Sequence, residues 1–417
     1  MRPHPTLDAP PPLRGSDPDS FAHHSVVNRL PDLLARTIQA SDLPDSALAP
    51  LRALGEEIPH GSIREIDDPQ APDAEDWAEY VAPFRSDDWL TVPWFFAETY
   101  FYRRIVEATG YLSAPCPGVD PFAPQKSLSP DDDADALSAL AERLALSPDD
   151  RHASGDDADP AGLEALLTTA LWGNQADLSM WPGDDRPDAA EERSAEKILA
   201  DDRRRCAEWV CDRAPLSRVD LIIDNTGFEL LTDLALAAFL LDRHLAKTVV
   251  LHAKSHPTFI SDATTGDVSQ VIEALAGHDD LAIRRLGKRL ADDAQSDRLR
   301  VTEHLFWTSP LPGWGLPPDL FDTLATSDLL ISKGDANYRR WLGDRHWSPT
   351  DDLHAVLDYA PAPLLLLRTL KSEVIAGLSP AAVERAEAHD PDWQISGEHA
   401  VAPFIDTPSG SLFPEDE

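Results

Sequence analysis

Apolar residues recur at helical spacing through the first half of the chain. Four segments show the pattern most clearly: VVNRLPDLLARTIQ, PWFFAETYFYRRIVEAT, DALSALAERLALS and AGLEALLTTALWG. Intervals of three and four residues place their apolar side chains on one face of a helix. The pattern therefore predicts an N-terminal helical region over residues 21–214, and it predicts no strand there.

After residue 214 the pattern changes to short apolar runs that alternate with helical stretches. Five runs are predicted strands: VDLIIDN (219–225), TVVLHAK (248–254), VTEHLFW (301–307), DLLISK (328–333) and APLLLLRT (362–369). Strands that alternate with helices indicate an α/β fold, with a mostly parallel, Rossmann-like sheet and helices on both faces. We expect this domain to span residues 215–405.

Polar stretches flank and separate these elements. Residues 1–20 and 406–417 are rich in Pro, Asp or Glu and are expected to be flexible. Three acidic stretches, which begin at Ser129, Ser147 and Pro182, are expected to be exposed loops because they contain turn formers and charge but little that can be buried.

Charge and cysteine content narrow the possible partners and the compartment. The chain has 74 acidic and 36 basic residues and a formal net charge of −38, so it repels nucleic acids and anionic lipids. It contains no apolar run of about 20 residues that could cross a bilayer and no signal-peptide pattern at the N-terminus. Three cysteines without a disulfide or zinc pattern fit a reducing compartment. We expect a cytoplasmic protein of undetermined oligomeric state.

Candidate chemistry lies where the predicted strands end, because ligands of open α/β sheets bind beyond the carboxyl ends of the strands. The first strand ends at Asp224 and Asn225, and the loop after the second strand reaches Asp262. The fourth and fifth strands lead into two polar segments, Lys333-Gly334-Asp335-Ala336-Asn337 and Arg368-Thr369-Leu370-Lys371. Carboxylates, amides and cations are therefore expected to meet at one edge of the sheet.

These residue types suit a phosphate group bound to a divalent metal. Carboxylate and amide oxygens are hard ligands for such ions, and Lys or Arg can neutralise the remaining phosphate charge. A helix predicted to begin near Phe228 adds backbone N–H groups and the positive end of its dipole. Each residue alone also has an ordinary explanation as a turn former, a helix cap or a solvated cation. The residue types alone do not name the reaction.

Four ordered segments resemble the damage-control phosphatase family, in particular its subfamily of acidic-residue methyltransferase-like proteins. They are IDNTGFELLTDL, HPTFISDA, ISKGDANYRRWLGDRHW and RTLK, and the last matches the subfamily's Arg-Thr-x-Lys motif in form and position. PWFFAETYFYRRI (93–105) and LWGNQADLS (171–179) also resemble the family's N-terminal helical region. The resemblance extends from about residue 20 to residue 400.

The resemblance implies a metal-dependent phosphatase that acts on small phosphomonoesters, such as sugar phosphates or damaged phosphometabolites. By position, the metal ligands are Asp224, Asn225 and Asp262. The implied substrate contacts are Asp224, Asn225, Lys333, Gly334, Asp335, Asn337 and Lys371, with Arg368 supporting the anion site. The implied catalytic residues are Asp224, Asp262, Lys333 and Lys371. Ala336 stands where many relatives have Leu, and the metal could be magnesium, manganese, cobalt or nickel.

Six further residues have both a functional and a structural interpretation. Four of them match family segments but have a structural alternative. Glu229 could be a carboxylate at a helix start, Asn174 a turn amide, Asp177 a helix cap and Arg103 part of a buried salt bridge. His252 and His256 have an H-x-x-x-H spacing. The first lies in a predicted strand, and the acidic partner of a zinc protease is missing, so we expect no zinc site.

Two other functions remain open at this stage. S-adenosylmethionine-dependent methyl transfer to protein carboxylates is also associated with the subfamily, but no Gly-rich G-x-G-x-x-G turn follows the first strand. A non-catalytic phosphometabolite-binding protein would not need a full set of metal ligands. Within the phosphatase hypothesis, the sequence does not distinguish direct attack by water from a phosphorylated Asp224 or Asp262.

Overall fold

The structure, a computed structural model, describes residues 4–126, 134–144, 159–173 and 197–406. Its centre is an eight-stranded sheet in the order β1-β7-β6-β5-β2-β3-β4, with β8 paired to β6. The strands are β1 (Ile198–Asp201), β2 (Val219–Ile222), β3 (Val249–Ala253), β4 (Leu299–Glu303), β5 (Leu329–Lys333), β6 (Leu364–Thr369), β7 (Ala400–Ala402) and β8 (Phe404–Ile405). The α/β class is confirmed, and each of the five predicted strands overlaps one of β2 to β6. The run predicted over 301–307 is wrong in its second half, because the His304 side chain caps a 3₁₀ helix over Leu305–Thr308.

Helices precede the sheet and connect its strands. In chain order they are α1 (Phe21–His24), α2 (Leu30–Ala40), α3 (Asp45–Glu57), α4 (Ala74–Val81), α5 (Trp94–Thr109), α6 (Ala134–Leu144), α7 (Pro160–Trp172), α8 (Arg203–Arg213), α9 (Phe228–Asp242), α10 (Thr265–Gly277), α11 (Leu281–Gln295), α12 (Pro318–Leu324), α13 (Asp335–Trp341), α14 (Leu353–Leu357) and α15 (Pro380–His389). A π-helix (Ser25–Arg29) joins α1 to α2. Short 3₁₀ helices include Leu305–Thr308, after β4.

The order of the strands places a crevice beside β2. Strands β6, β5, β2, β3 and β4 are parallel neighbours, whereas β7 and β8 run antiparallel to β6. Strands β3 and β4 follow β2 on one side of it, and the next strand along the chain, β5, pairs with β2 on its other side. Ligands of open α/β sheets bind at such a reversal, beyond the carboxyl ends of the strands. The ends of β2 and β5 therefore form the expected site.

Both faces of the sheet are buried against helices. Along β6, Leu364 and Leu366 belong to one apolar core, and Leu365 and Leu367 belong to the other. The first core includes side chains of α2 to α5, α13 and α14, and the second includes those of α6 to α11. A strand that is covered on both faces reads as a continuous apolar run. This burial explains why the LLLL segment lacks polar alternation.

Three short strands were not predicted. Strand β1 lies before residue 215, but Ile198 pairs with Ala400 of β7 and so joins the sheet. The expectation that residues 21–214 contain no strand is therefore wrong. Strands β7 and β8, with three and two residues, carry too little periodicity to be recognised locally. Strand β1 is as long as β2, but only its first two residues are buried, so its apolar run does not stand out. Their pairing depends on segments far away along the chain.

The segments expected to be flexible or exposed are only partly described. The acidic stretches beginning at Ser129, Ser147 and Pro182 lie wholly or largely outside the described residues, as do residues 407–417. Within residues 4–20, the buried Leu13 accepts a hydrogen bond from the backbone nitrogen of Trp94 and donates one to the carbonyl of Asp344. In the described part of the chain, no helix is both long and apolar enough to span a bilayer.

Candidate active site

Backbone hydrogen bonds gather the metal ligands that the resemblance implied. The carbonyl of Asp224, after β2, accepts a hydrogen bond of 2.8 Å from the amide of Ala263. The carbonyl of Ala263 in turn accepts one of 2.9 Å from the amide of Lys254, after β3. Asn225 and Asp262 face each other as an isolated antiparallel bridge. The predicted set Asp224, Asn225 and Asp262 thus lies together at the carboxyl ends of β2 and β3.

The loop that carries Asp262 is held in an unusual backbone conformation. Phe259 and Ile260 have φ angles of 45° and 69°, in the left-handed region that non-glycine residues rarely adopt. Each such residue costs on the order of 1–3 kcal/mol and persists only where its surroundings fix it. The ring of Phe259 packs 5.0 Å from that of Tyr102 on α5. The N-terminal helical region therefore helps to fix the loop of the candidate site.

A buried lysine lies between the two carboxylates. The side-chain nitrogen of Lys254 is 2.7 Å from Oδ2 of Asp262 and 3.5 Å from Oδ1 of Asp224. All three residues are buried, with Lys254 only 1% exposed. Burial, followed by the charge of Asp262, raises the pKa of Asp224 well above its usual range. Burial also raises the pKa of Asp262, although Lys254 opposes that shift.

A second lysine is enclosed by carboxylates of helix α9. The side-chain nitrogen of Lys333 lies 3.1 Å from Oε1 of Glu229 and 2.9 Å from Oδ1 of Asp233. Burial would lower the pKa of Lys333, but these two carboxylates raise it above its usual range. Burial raises the pKa of Asp233 to about 7, with a smaller contribution from Glu229. The Asn225 amide nitrogen donates to Oε2 of Glu229 at 2.9 Å and so links the two lysine clusters.

The site carries more negative than positive charge. Four buried carboxylates contact or lie close to two buried ammonium groups. The carboxylates are those of Asp224, Glu229, Asp233 and Asp262, and the ammonium groups are those of Lys254 and Lys333. When these six are ionised, the difference is two negative charges, and Arg340, a buried cation that interacts electrostatically with Asp262, offsets one of them. Protons or a cation must compensate this excess, because uncompensated buried charge is very costly.

The donor atoms fit a divalent metal ion. Oδ1 of Asp224 is buried and has no hydrogen-bond partner among the described residues. Asp224 and Asp262 supply carboxylate oxygens and Asn225 an amide oxygen, the ligand types that Mg²⁺ and Mn²⁺ accept. Among the described residues, no group of three or more His, Cys, Asp or Glu side chains is placed to hold a metal ion by itself. A metal here would rely on the amide oxygen and water or substrate to complete its coordination.

Gly334 and Asn337 bring the ends of β2 and β5 together. Gly334 has a φ of 83°, and a Cβ atom at this position would lie 1.9 Å from Oδ2 of Asp224. The amide nitrogen of Asn337 donates to the carbonyls of Ile223 and Lys333, at 3.2 and 2.9 Å. Both residues lie at the site, and the amide nitrogen of Asn337 is engaged with the backbone.

The Arg-Thr-x-Lys segment contains one engaged and one unpaired cation. The buried guanidinium of Arg368 binds Oδ1 of Asp335 at 2.8 Å and the hydroxyl of Ser372 at 2.7 Å. Burial would raise the pKa of Asp335, but Arg368 holds it below the usual range. Lys371 is half-buried and has no ion pair or side-chain hydrogen bond with the described residues. Of these two cations, Lys371 is the one available to an anionic ligand.

The residues with two interpretations fall into different groups. Glu229 belongs to the Lys333 cluster. Arg103 forms a buried bidentate ion pair with Asp73, at 2.8 and 2.9 Å, as its structural interpretation requires. Asn174 and Asp177 lie outside the described residues.

The two histidines do not form a metal pair in the described structure. Nε2 of His252 lies 2.6 Å from Oδ1 of Asp220, on the neighbouring strand. Nδ1 of His256 lies 3.1 Å from the carbonyl of Pro257, and burial lowers the pKa of His256 to about 4. Neither contact provides the joint geometry that a zinc site needs.

Sequence reasoning missed two residues of the site, Lys254 and Asp233. Lys254 ends a predicted strand and is one of only seven lysines in the chain, so the rule of strand ends could have identified it. Asp233 is a charged residue inside the apolar helix FELLTDLALAAFLLD. A carboxylate at such a position needs a buried partner, and the partner proves to be Lys333.

Comparisons of the sequence with known proteins identify the family. The model of the damage-control phosphatase ARMT1-like domain matches residues 23–386. The chain is 32% identical to damage-control phosphatase ARMT1 of Xenopus tropicalis over 95% of this chain and 98% of the relative. It is 31% identical to the protein of the same name from Danio rerio, over 92% of this chain and 94% of the relative.

A solved structure also aligns with most of the chain. It is a DUF89 family protein from Pyrococcus horikoshii, with a TM-score of 0.45, 15% identity, and coverage of 91% of this chain and 97% of that one. The assignment rests on the sequence matches, which extend from the N-terminal helices through the strand ends that hold the site. The chain belongs to the ARMT1-like family of damage-control phosphatases.

Proposed function

We propose that this chain is a divalent-metal-dependent phosphatase that hydrolyses small phosphomonoesters, such as sugar phosphates or damaged phosphometabolites. The supporting observation is the excess of buried negative charge at the carboxyl ends of β2, β3 and β5. Asp224, Asn225 and Asp262 would hold the metal with oxygen ligands. A bound divalent ion polarises a phosphoryl oxygen and lowers the pKa of bound water.

The chain's own cations would then receive the phosphate group. Lys371 has no partner among the described residues and lies in the loop after β6. Arg368 and Asp335 would position this loop, because their ion pair joins it to the start of α13. Lys333 is neutralised by Glu229 and Asp233, so we assign it to positioning Glu229 and, through it, Asn225. Manganese, cobalt, nickel and magnesium all accept this donor set.

The proposal predicts metal-dependent release of phosphate. Purified protein, first stripped of metal, would be incubated with sugar phosphates and p-nitrophenyl phosphate, alone and with each of the four metals. Asp224→Asn keeps the shape of the side chain and removes one metal-binding charge. Asp279→Asn is the matched control, because Asp279 is exposed. We expect metal-dependent release by the wild type and the control, and at least about a hundredfold less by Asp224→Asn.

Two other outcomes would redirect the assignment. Equal release with and without metal, unaffected by Asp224→Asn, would contradict the metal site. No release with any metal, from a folded protein that binds one, would contradict the phosphatase. In that case, transfer of a labelled methyl group from S-adenosylmethionine to protein carboxylates would be the next assay.

A further inference from the structure

Lys254 is the buried cation nearest to the proposed metal ligands, and the proposed function gives it no role. Its side-chain nitrogen touches Oδ2 of Asp262 at 2.7 Å and approaches Oδ1 of Asp224 at 3.5 Å. It pairs with no other carboxylate among the described residues. The ammonium group thus contacts two of the three proposed ligands and none of the surrounding acidic surface.

The backbone fixes Lys254 in this place. Its amide donates to Ala263, and it forms a parallel bridge with Thr264. Ala263 is tied in turn to the carbonyl of Asp224. Lysine and both carboxylates therefore project from three neighbouring backbone segments that hydrogen bonds hold together. The lysine is only 1% exposed, so solvent cannot replace either carboxylate as its partner.

The contacts of Lys254 are unequal. The ammonium nitrogen lies 2.7 Å from Oδ2 of Asp262, the separation of a close charge-assisted contact, and 3.5 Å from Oδ1 of Asp224, which is longer than such a contact. Neither oxygen has a hydrogen bond of good geometry with a described residue. The ammonium group therefore holds Asp262 more closely than Asp224, and both inner oxygens still lack a hydrogen bond. A divalent ion would satisfy both oxygens at shorter distance, but it would meet the positive charge of Lys254.

We propose that Lys254 is a resident counter-cation that holds Asp224 and Asp262 together before metal binding and competes with the metal for their inner oxygens. This inference rests on the metal site of the proposed function. Lys254 is a positioning residue: it limits the repulsion between the two carboxylates and keeps their spacing. Its ammonium group must shift when the metal binds, because the metal takes over the same oxygens.

The test measures metal affinity as well as activity. Lys254→Met removes the charge with little change in shape, and Lys247→Met is the control, because Lys247 is an exposed lysine. Mn²⁺ titrations by calorimetry and thermal unfolding of the metal-free proteins provide the readouts. We expect Lys254→Met to bind Mn²⁺ at least about tenfold more tightly than the wild type, a change of about 1.4 kcal/mol. Its metal-free form should unfold at a lower temperature, whereas Lys247→Met should match the wild type in both measurements.

The direction of the change in affinity separates competition from simple damage. A destabilised site binds metal more weakly, so tighter binding by a less stable variant is specific to a competing cation. Unchanged or weaker Mn²⁺ binding by folded Lys254→Met would overturn the inference and leave the proposed metal site intact. If neither the wild type nor the variant binds Mn²⁺, the metal site itself is wrong.

A second measurement uses the wild-type protein and does not depend on the folding of the methionine variant. With only seven lysines in the chain, ¹⁵N-labelled side-chain ammonium signals can be resolved by NMR, and Lys254→Arg identifies the signal of Lys254. Saturation with diamagnetic Mg²⁺ should shift or abolish this signal and leave that of Lys197, which pairs with Glu398, unchanged. A Lys254 signal that does not respond to bound Mg²⁺ would overturn the inference.

Discussion

The side-chain nitrogen of Lys333 lies 2.9 Å from Oδ1 of Asp233, a carboxylate that is completely buried inside helix α9. The same nitrogen binds Glu229, one turn earlier on the helix. A lysine expected at the substrate thus forms an internal ion pair between the end of β5 and the helix that follows β2. This pairing changes what its mutation should do.

Lys333→Met should destabilise the fold as well as reduce activity. It leaves Glu229 and Asp233 buried without a cation, and breaking such a pair costs about 3–5 kcal/mol. Denaturant unfolding measures the loss, with Lys288→Met, at an exposed position, as the control. Loss of phosphatase activity at unchanged stability would instead show that Lys333 acts on the substrate alone.

Asp233 should make stability depend on pH in a defined direction. Its pKa is about 7 in the fold and near 3.8 in the unfolded chain. Between about pH 4 and pH 7 the folded state therefore keeps a proton that the unfolded state has lost, so this carboxyl's contribution to stability falls as pH rises. Asp233→Asn removes the effect. The free energy of unfolding of the variant minus that of the wild type should rise across this window, by up to about 1.4 kcal/mol per pH unit. A difference that is flat with pH would contradict the assignment.

Substitution of Lys371 should affect mainly kcat/KM, whereas substitution of Arg368 should affect mainly the free energy of unfolding. Lys371→Met should lower kcat/KM about tenfold or more and change stability by no more than about 0.5 kcal/mol, since Lys371 has no partner among the described residues. Arg368→Met should lower stability by about 3 kcal/mol, the low end of the cost of breaking a buried pair. The carboxylate of Asp335 loses its cation but is 19% exposed and keeps its hydrogen bond from Ser372. Kinetics and denaturant unfolding of both variants test the contrast. The opposite pattern, a stable Arg368→Met and an unfolded Lys371→Met, would contradict it.

Gly334→Ala should disturb Asp224 directly. The added Cβ would approach Oδ2 of Asp224 to 1.9 Å, so the carboxylate must move and Mn²⁺ affinity should fall. Gly118→Ala is a matched control: Gly118 has a similar φ of 72° but no atom within 4 Å of the added Cβ. It should cost only the backbone strain, about 1–2 kcal/mol, and leave metal affinity unchanged. Equal Mn²⁺ affinity in both variants would show that crowding at Gly334 does not reach the site.

Much of the fold was predictable because its signals are local. Strands β2, β3, β5 and β6 are nearly continuous apolar runs, as burial on both faces requires, whereas the edge strand β4 (LRVTE) is largely exposed or partly buried. The rule of strand ends then indicated Asp224, Asn225 and Lys333. Strands β7 and β8 were missed because they are too short to show a period, and β1 because only its first two residues are buried. They exist only through pairing with distant segments.

The amino-acid pattern alone was enough to predict the α/β class, the edge of the sheet where Asp224, Asn225 and Asp262 lie and, through its motifs, the family. It could not predict the charge partners that packing creates: Lys254 between Asp224 and Asp262, Lys333 between Glu229 and Asp233, and Arg368 with Asp335. Periodicity and residue type are local properties that burial imposes on each element separately. Ion pairs join side chains from different elements, and their partners are fixed only when those elements pack and exclude water.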